Sequence, residues 1–186
     1  MKDIEGIERA LEVLAPEWPQ IEKEFARQNA RYLALASTDH DSIGRVLRIH
    51  LVIESFIEDF LAQFYGIEGV RSLRLSFYQK ASLLPSQHSS AAFVRPGIIQ
   101  LNALRNKFGH SLDHKTEQHE ISAIYEVLRV ARRATAFPDS ISAIEAFGPV
   151  ACAFLSVPPA NLSAVFVKAF AEIRSFDPEN LAEDPR

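Results

Sequence analysis

Apolar residues recur at helical spacing along most of this chain, and no stretch alternates apolar and polar residues between hairpin turn signals. The pattern predicts an all-α fold. Asp3 is placed to cap a first helix over residues 3–14, which must stop before Pro16. A second, over residues 19–36, carries Ile21, Phe25, Tyr32, Leu33 and Leu35 with Pro19 in its first turn, and Trp18 reads as a packing anchor beneath it. The widest apolar face follows. Leu47, Ile49, Ile53, Phe56, Ile57, Phe60, Leu61 and Phe64 run from a cap at Asp41 or Ser42 to a stop at Gly66, and this helix is the expected spine of a bundle.

Residues 72–84 read as a shorter helix ending at Pro85, and the polar stretch after it, over residues 85–93, as a flexible loop. From Arg95 onward Ile98, Leu101, Leu104 and Phe108 form a core-facing stripe. A helix over residues 117–134 repeats the period with Ile121, Ile124, Tyr125, Leu128 and Val130, and two more are expected over 140–157 and 159–176. The tail 177–186 is acidic, and fraying is expected there.

One stretch matches a membrane span in length, because residues 146–167 carry no charge. Gly148, Pro149, Pro158, Pro159 and Asn161 interrupt it, which reads instead as two buried or interface helices joined by a Pro-Pro turn, with no membrane partner.

Composition narrows the class. With 186 residues, 47% of them hydrophobic and 24% charged, the chain suits one globular domain and not a disordered or coiled-coil chain. Its single cysteine, Cys152, excludes a disulfide framework and a cysteine-based zinc site, and the acidic start shows no export signal, so a cytoplasmic protein is expected. The net charge of −4 argues against a protein that coats nucleic acid through a basic face. It is unevenly spread: the window from Arg95 to Arg133 holds seven basic against four acidic residues, net +3, which leaves −7 elsewhere.

Inside that window Arg105, Asn106 and His110 are polar groups that the core stripe does not explain. On a continuous helix Arg105 and His110 lie about 140° apart, whereas Asn106 and His110 are neighbours at i, i+4. Gly109 is a natural left-handed stop, which would swing His110 back over the last turn so that the three groups converge.

The segment from Arg105 to His110, an arginine followed by a polar residue, three variable residues and a histidine, resembles the signature of the HEPN superfamily. The stretch Leu75-Ser76-Phe77-Tyr78-Gln79-Lys80 with Leu83 and Leu84 is similar to the short helix that many such domains place before it, and residues 48–66 to their first long helix. The resemblance covers residues 46–112, about a third of the chain. It implies an antiparallel helical bundle, with a HEPN-like core over about 41–135; the N-terminal helices and a C-terminal pair over about 139–176 are additions outside the resemblance. It also implies a homodimer that brings two motifs to one cleft, single-stranded RNA as substrate, and metal-independent cleavage without a cofactor, in toxin–antitoxin or defence settings where a protein partner such as an antitoxin is expected. In that chemistry the RNA 2′-hydroxyl attacks the adjacent phosphate. His110 is then the proton-transfer group, Arg105 holds the phosphate oxygens, and Asn106 orients the imidazole or an oxygen. The other function class is a non-catalytic HEPN-like interaction or regulatory domain, similar to mannitol-repressor-like proteins, that binds a nucleotide, RNA or a protein.

Further candidates are few. Lys107, Arg129 and Arg132 are candidate phosphate-binding residues, against the simpler role of helix-end charges complementing the dipole. His50, Glu54 and Glu58 fall at i, i+4, i+8, a poor metal cage that reads best as a solvated stripe. Glu54 is the member expected to lean inward, with Arg105 as its obvious partner. No nucleophile elbow, Walker loop or dinucleotide fingerprint is present, which argues against nucleotide hydrolysis and redox cofactors.

Overall fold

A computed structural model describes residues 13–36, 40–110, 115–131, 136–156, 158 and 161–178. The chain divides into two compact units, Met1–Asp39 and His40–Arg186. The first contains α1 (Trp18–Ala36), entered through a 3-10 turn at Ala15–Glu17. Trp18, Phe25 and Leu33 are exposed on α1, Trp18 the least of the three at 40%.

The second unit is an all-α bundle built from α2 (His40–Tyr65), α3 (Phe77–Ser82), α4 (Ser90–His110), α5 (Ser122–Ala131), α6 (Ser140–Leu155) and α7 (Ser163–Ala169). No strand occurs among the described residues. α2 and α4 both pack on α6 and on each other, α5 packs on α4 and α6, and α3 bridges α2 and α4. Ile53, Ile57 and Leu61 of α2 meet Ile98, Leu101 and Leu104 of α4 in a core completed by Ile124, Leu128, Ile144 and Phe147. The core stripe read from the sequence for α4 is buried throughout, Phe108 included.

Backbone chemistry sets the ends of these helices. α2 begins one residue before Asp41, so Asp41 and Ser42 sit inside its first turn rather than capping it. It stops at Gly66, whose φ of +65° is the left-handed turn that glycine adopts without strain. The helix expected over 72–84 is split: a 3-10 turn at Val70–Leu73 gives way at Arg74, φ +52°, and α3 starts afresh from Ser76. Ser76 Oγ accepts the Gln79 amide at 3.2 Å while Gln79 Oε1 accepts the Ser76 amide at 2.8 Å. This capping box makes a six-residue helix viable.

α4 is longer than its stripe suggests. It starts at Ser90 and takes in part of the polar stretch read as a loop, with Pro96 inside the helix. Ala91, Ala92 and Val94 bury this extra length against the bundle, and that burial outweighs the local cost of the proline. At Gly97 the absence of a side chain lets Phe147 of α6 approach so closely that a Cβ would lie 2.8 Å from its ring.

The region expected as one helix over 117–134 opens with a 3-10 turn, Gln118–Ile121, before α5; residues 132–135 lie outside the described ones. Asp139 caps α6 by accepting the Ser142 amide at 2.6 Å. α6 is buried as expected of half of the uncharged stretch, but α7 buries none of its residues and ends at Ala169. The chain then turns back, and Ser175 donates its amide to Ser86 while His88 donates to Ile173, an isolated antiparallel bridge in place of a continued helix. No helix among the described residues is long and apolar enough to cross a membrane.

Candidate functional site

Three helices bring polar side chains to one place on the bundle. α2 contributes His50 and Glu54, one turn apart on the edge of its buried face. α4 contributes Asn102, Arg105 and Asn106 from the side of the helix next to its core stripe. α3 contributes Phe77 and Lys80, and its capping Ser76 fixes where both point.

His50 is buried, and its ring stacks on Phe77 with centroids 3.8 Å apart and planes 25° from parallel. Its Nε2 lies 3.4 Å from Asn102 Oδ1, and Nδ1 has no hydrogen-bond partner among the described residues. Burial pushes its pKa below the ordinary 6.5, against the opposing pull of Asn102 and Glu54, so the ring is neutral at pH 7.

Lys80 is the charge beneath this arrangement. Its Nζ sits 2.6 Å from Glu54 Oε1 and 2.5 Å from Glu58 Oε1, and Arg71 Nε closes on Glu58 Oε2 at 2.9 Å. Burial alone would lower the Lys80 pKa, but hydrogen bonds to the two carboxylates outweigh it and hold the ammonium charged. The His50, Glu54, Glu58 stripe is therefore not a solvated face. It is tied to α3 through Lys80, and Glu54 pairs with Lys80 where the sequence points to Arg105.

Arg105 stands apart from these carboxylates. It is exposed, and its Nη1 donates to Asn106 Oδ1 at 3.2 Å. It lines two hollows. One, of about 370 Å³, is shared with His50, Glu54, Tyr78, Asn102 and Asn106. The other, of about 350 Å³, is shared with Val46, Leu47, Phe108 and Gly109. A guanidinium at the junction of two hollows, with no carboxylate pairing among the described residues, presents its donors to a ligand.

His110 is exposed at the last described position of α4 and lines neither hollow. The left-handed turn expected at Gly109 does not form: α4 runs on through His110, and the glycines with positive φ are Gly66 and Gly69 among the described residues. Buried Phe108 and the ion pair of Lys107 with Glu120 anchor the last turn and favour its continuation. Arg105 and His110 thus keep the angular separation of a continuous helix, about 140°.

Comparison with family models, with curated proteins and with solved structures finds no match for this chain.

Of the candidate phosphate-binding residues, Lys107 and Arg129 are described and line no common hollow. Lys107 is held by Glu120, and Arg129 is exposed on a separate hollow of about 440 Å³ lined also by Phe93, Val127 and Arg174. Arg132 lies outside the described residues. No cluster of three His, Cys, Asp or Glu side chains that could hold a metal occurs among the described residues. The residues that sequence reasoning passed over are Asn102, Lys80 and Tyr78, and it misread the setting of His50. A signal for two of them is present: His50 falls three and seven residues before Ile53 and Ile57, and Asn102 four after Ile98, each a polar residue on a buried arc.

Proposed function

We propose that this chain is an RNA-binding protein and a metal-independent endoribonuclease, with Arg105 gripping the phosphate and His110 transferring protons at a site completed by a second copy. One observation carries the reading: Arg105 is exposed and without a carboxylate partner among the described residues, because Lys80 occupies Glu54 beside it. A guanidinium in that state keeps its donor fork for a phosphodiester. Asn106 Oδ1 steadies it from the same turn.

The second copy enters the proposal for a geometric reason. Within one α4 the two side chains point about 140° apart and cannot close on a single phosphate from one face. A two-fold pairing of this helix end would set His110 of one chain opposite Arg105 of the other. The 2′-hydroxyl would then attack the adjacent phosphorus as the P–O5′ bond breaks, the imidazole taking the hydroxyl's proton, the departing 5′-oxygen gaining one from solvent, and Arg105 meeting the charge that builds on the non-bridging oxygens.

The test is incubation of single-stranded RNA with wild type, Arg105→Ala and His110→Ala in EDTA. The proposal expects fragments ending in 2′,3′-cyclic phosphate from wild type, and losses of about a hundredfold or more from either variant. Equal activity in His110→Ala, or intact RNA with wild type, overturns it.

A second reading is a non-catalytic HEPN-like regulatory domain that binds a nucleotide, RNA or a protein. The observation favouring it is that the hollow beside Arg105 is lined by Asn106, Glu54 and His50 but not by His110. RNA bound at that hollow and left uncut is its signature.

A further inference from the structure

The hollow of about 370 Å³ beside Arg105 holds more recognition chemistry than a phosphate grip requires. A phosphodiester needs donors alone, and Arg105 and Asn106 supply them. The same wall continues into an acceptor, Glu54, whose Oε1 is taken by Lys80 while no described residue donates to its Oε2. Asn102 and His50 line it too, both more than nine-tenths buried, and His50 Nδ1 has no hydrogen-bond partner among the described residues. Tyr78, exposed, offers an aromatic face at the same hollow. Buried polar groups left partly unsatisfied around a cavity, beside an aromatic ring, are features of a base-recognition pocket.

We infer that this hollow binds the base of a guanine nucleotide, with Glu54 accepting from its Watson–Crick edge, Tyr78 stacking on its face and Arg105 holding the adjoining phosphate. The inference rests on the reading of the Arg105 face as RNA-binding and deepens it to a base preference. Guanine fits because it presents two neighbouring N–H donors, N1–H and the N2 amino group. An ionised carboxylate is acceptor-only with about four lone-pair positions, and Lys80 uses one. Adenine and cytosine bring one amino donor beside an acceptor nitrogen. Uracil brings two carbonyls around its single N–H and meets the carboxylate with repulsion. A site built to receive hydrogen bonds rejects the base that lacks them, because its own polar groups are left unpaired.

The experiment is calorimetric titration of the full chain with GMP, AMP, CMP and UMP. GMP is expected to bind about tenfold or more tightly than UMP, the scale of one well-formed base contact. Tyr78→Ala, at an exposed position, is expected to weaken all four by about tenfold through lost stacking. Glu54→Gln is expected to abolish the GMP preference, with circular dichroism confirming that the helices survive the loosened Lys80; the wild-type panel decides the matter even where that variant fails to fold. Equal affinities, a preference for UMP, or no GMP binding at millimolar concentration overturns the inference. Failures stay separable. Selective GMP binding with uncut RNA leaves the pocket standing and removes the nuclease reading, whereas RNA cut without base preference does the reverse.

Discussion

Lys80 reaches from α3 to set its ammonium 2.6 Å from Glu54 Oε1, and so neutralises the carboxylate that sequence spacing offers most naturally to Arg105. The same ammonium holds Glu58. A short helix with a capping box thereby decides the electrostatics of a neighbouring helix: with Glu54 Oε1 taken by Lys80, Arg105 turns outward and, among the described residues, donates to the side-chain amide of Asn106.

Replacing this charge is expected to cost more than the loss of one contact. Lys80→Met leaves Glu54 and Glu58 facing each other with one exposed arginine between them and solvent, and a stability loss of about 3 kcal/mol is expected. Urea denaturation measures it. An unchanged midpoint would mean that the two carboxylates relax into water without penalty.

The His50 ring is expected to titrate below 6.5 in an NMR pH series, since burial disfavours its charged form. Because the folded chain binds this proton less readily than the unfolded chain, the associated stability is full above pH 6.5 and is lost as the pH falls through the folded-state midpoint. A His50→Gln variant should show a flatter fall of stability over that acid range. A midpoint above 6.5 contradicts the burial.

Two glycines of α4 are expected to respond to alanine with opposite signs. At Gly97 the new Cβ would lie 2.8 Å from Phe147 Cζ in a fully buried contact, so overpacking should cost about 1–3 kcal/mol. At Gly109 no described residue lies within 4 Å of the added Cβ and the backbone is right-handed helix, so Gly109→Ala should stabilise by up to about 1 kcal/mol. Thermal melts read both. A destabilised Gly109→Ala would restore the left-handed turn expected from the sequence.

Asp139→Ala removes the cap of α6 and should cost about 1 kcal/mol at neutral pH. The Ser142 amide holds the Asp139 carboxyl below its ordinary 3.8, so the stabilisation is complete above that pH and is lost as the pH falls further. The gap between wild type and variant in melting temperature should therefore close in acid. A gap that persists at pH 2 would assign the effect to something other than the charged cap.

The all-α class and the core stripe of α4 were legible because burial imposes the helical period directly on residues such as Ile98, Leu101 and Leu104. Helix ends were less so. The break at Arg74, the start of α4 at Ser90 and the fold-back of residues 173–175 all depend on contacts between segments distant in sequence, which local propensity does not encode. The site was half legible. Arg105, Asn106 and Glu54 stand out by residue type, but the partner of Glu54 is Lys80, 26 residues away, and only the packing of α3 on α2 selects it. Gly109 misled for the opposite reason: its stop signal is real in isolation, and tertiary anchors at Phe108 and Lys107 override it.

The most direct test of a site shared between two chains is complementation. Arg105→Ala and His110→Ala proteins, each inactive on single-stranded RNA, are unfolded together, refolded as a mixture and assayed in EDTA. If Arg105 of one copy works with His110 of the other, half of the dimers carry one intact site and activity recovers to about a quarter of wild type. A mixture as inert as its two parents, beside a wild type that cuts, contradicts the shared site; a wild type that leaves the RNA intact contradicts the nuclease itself.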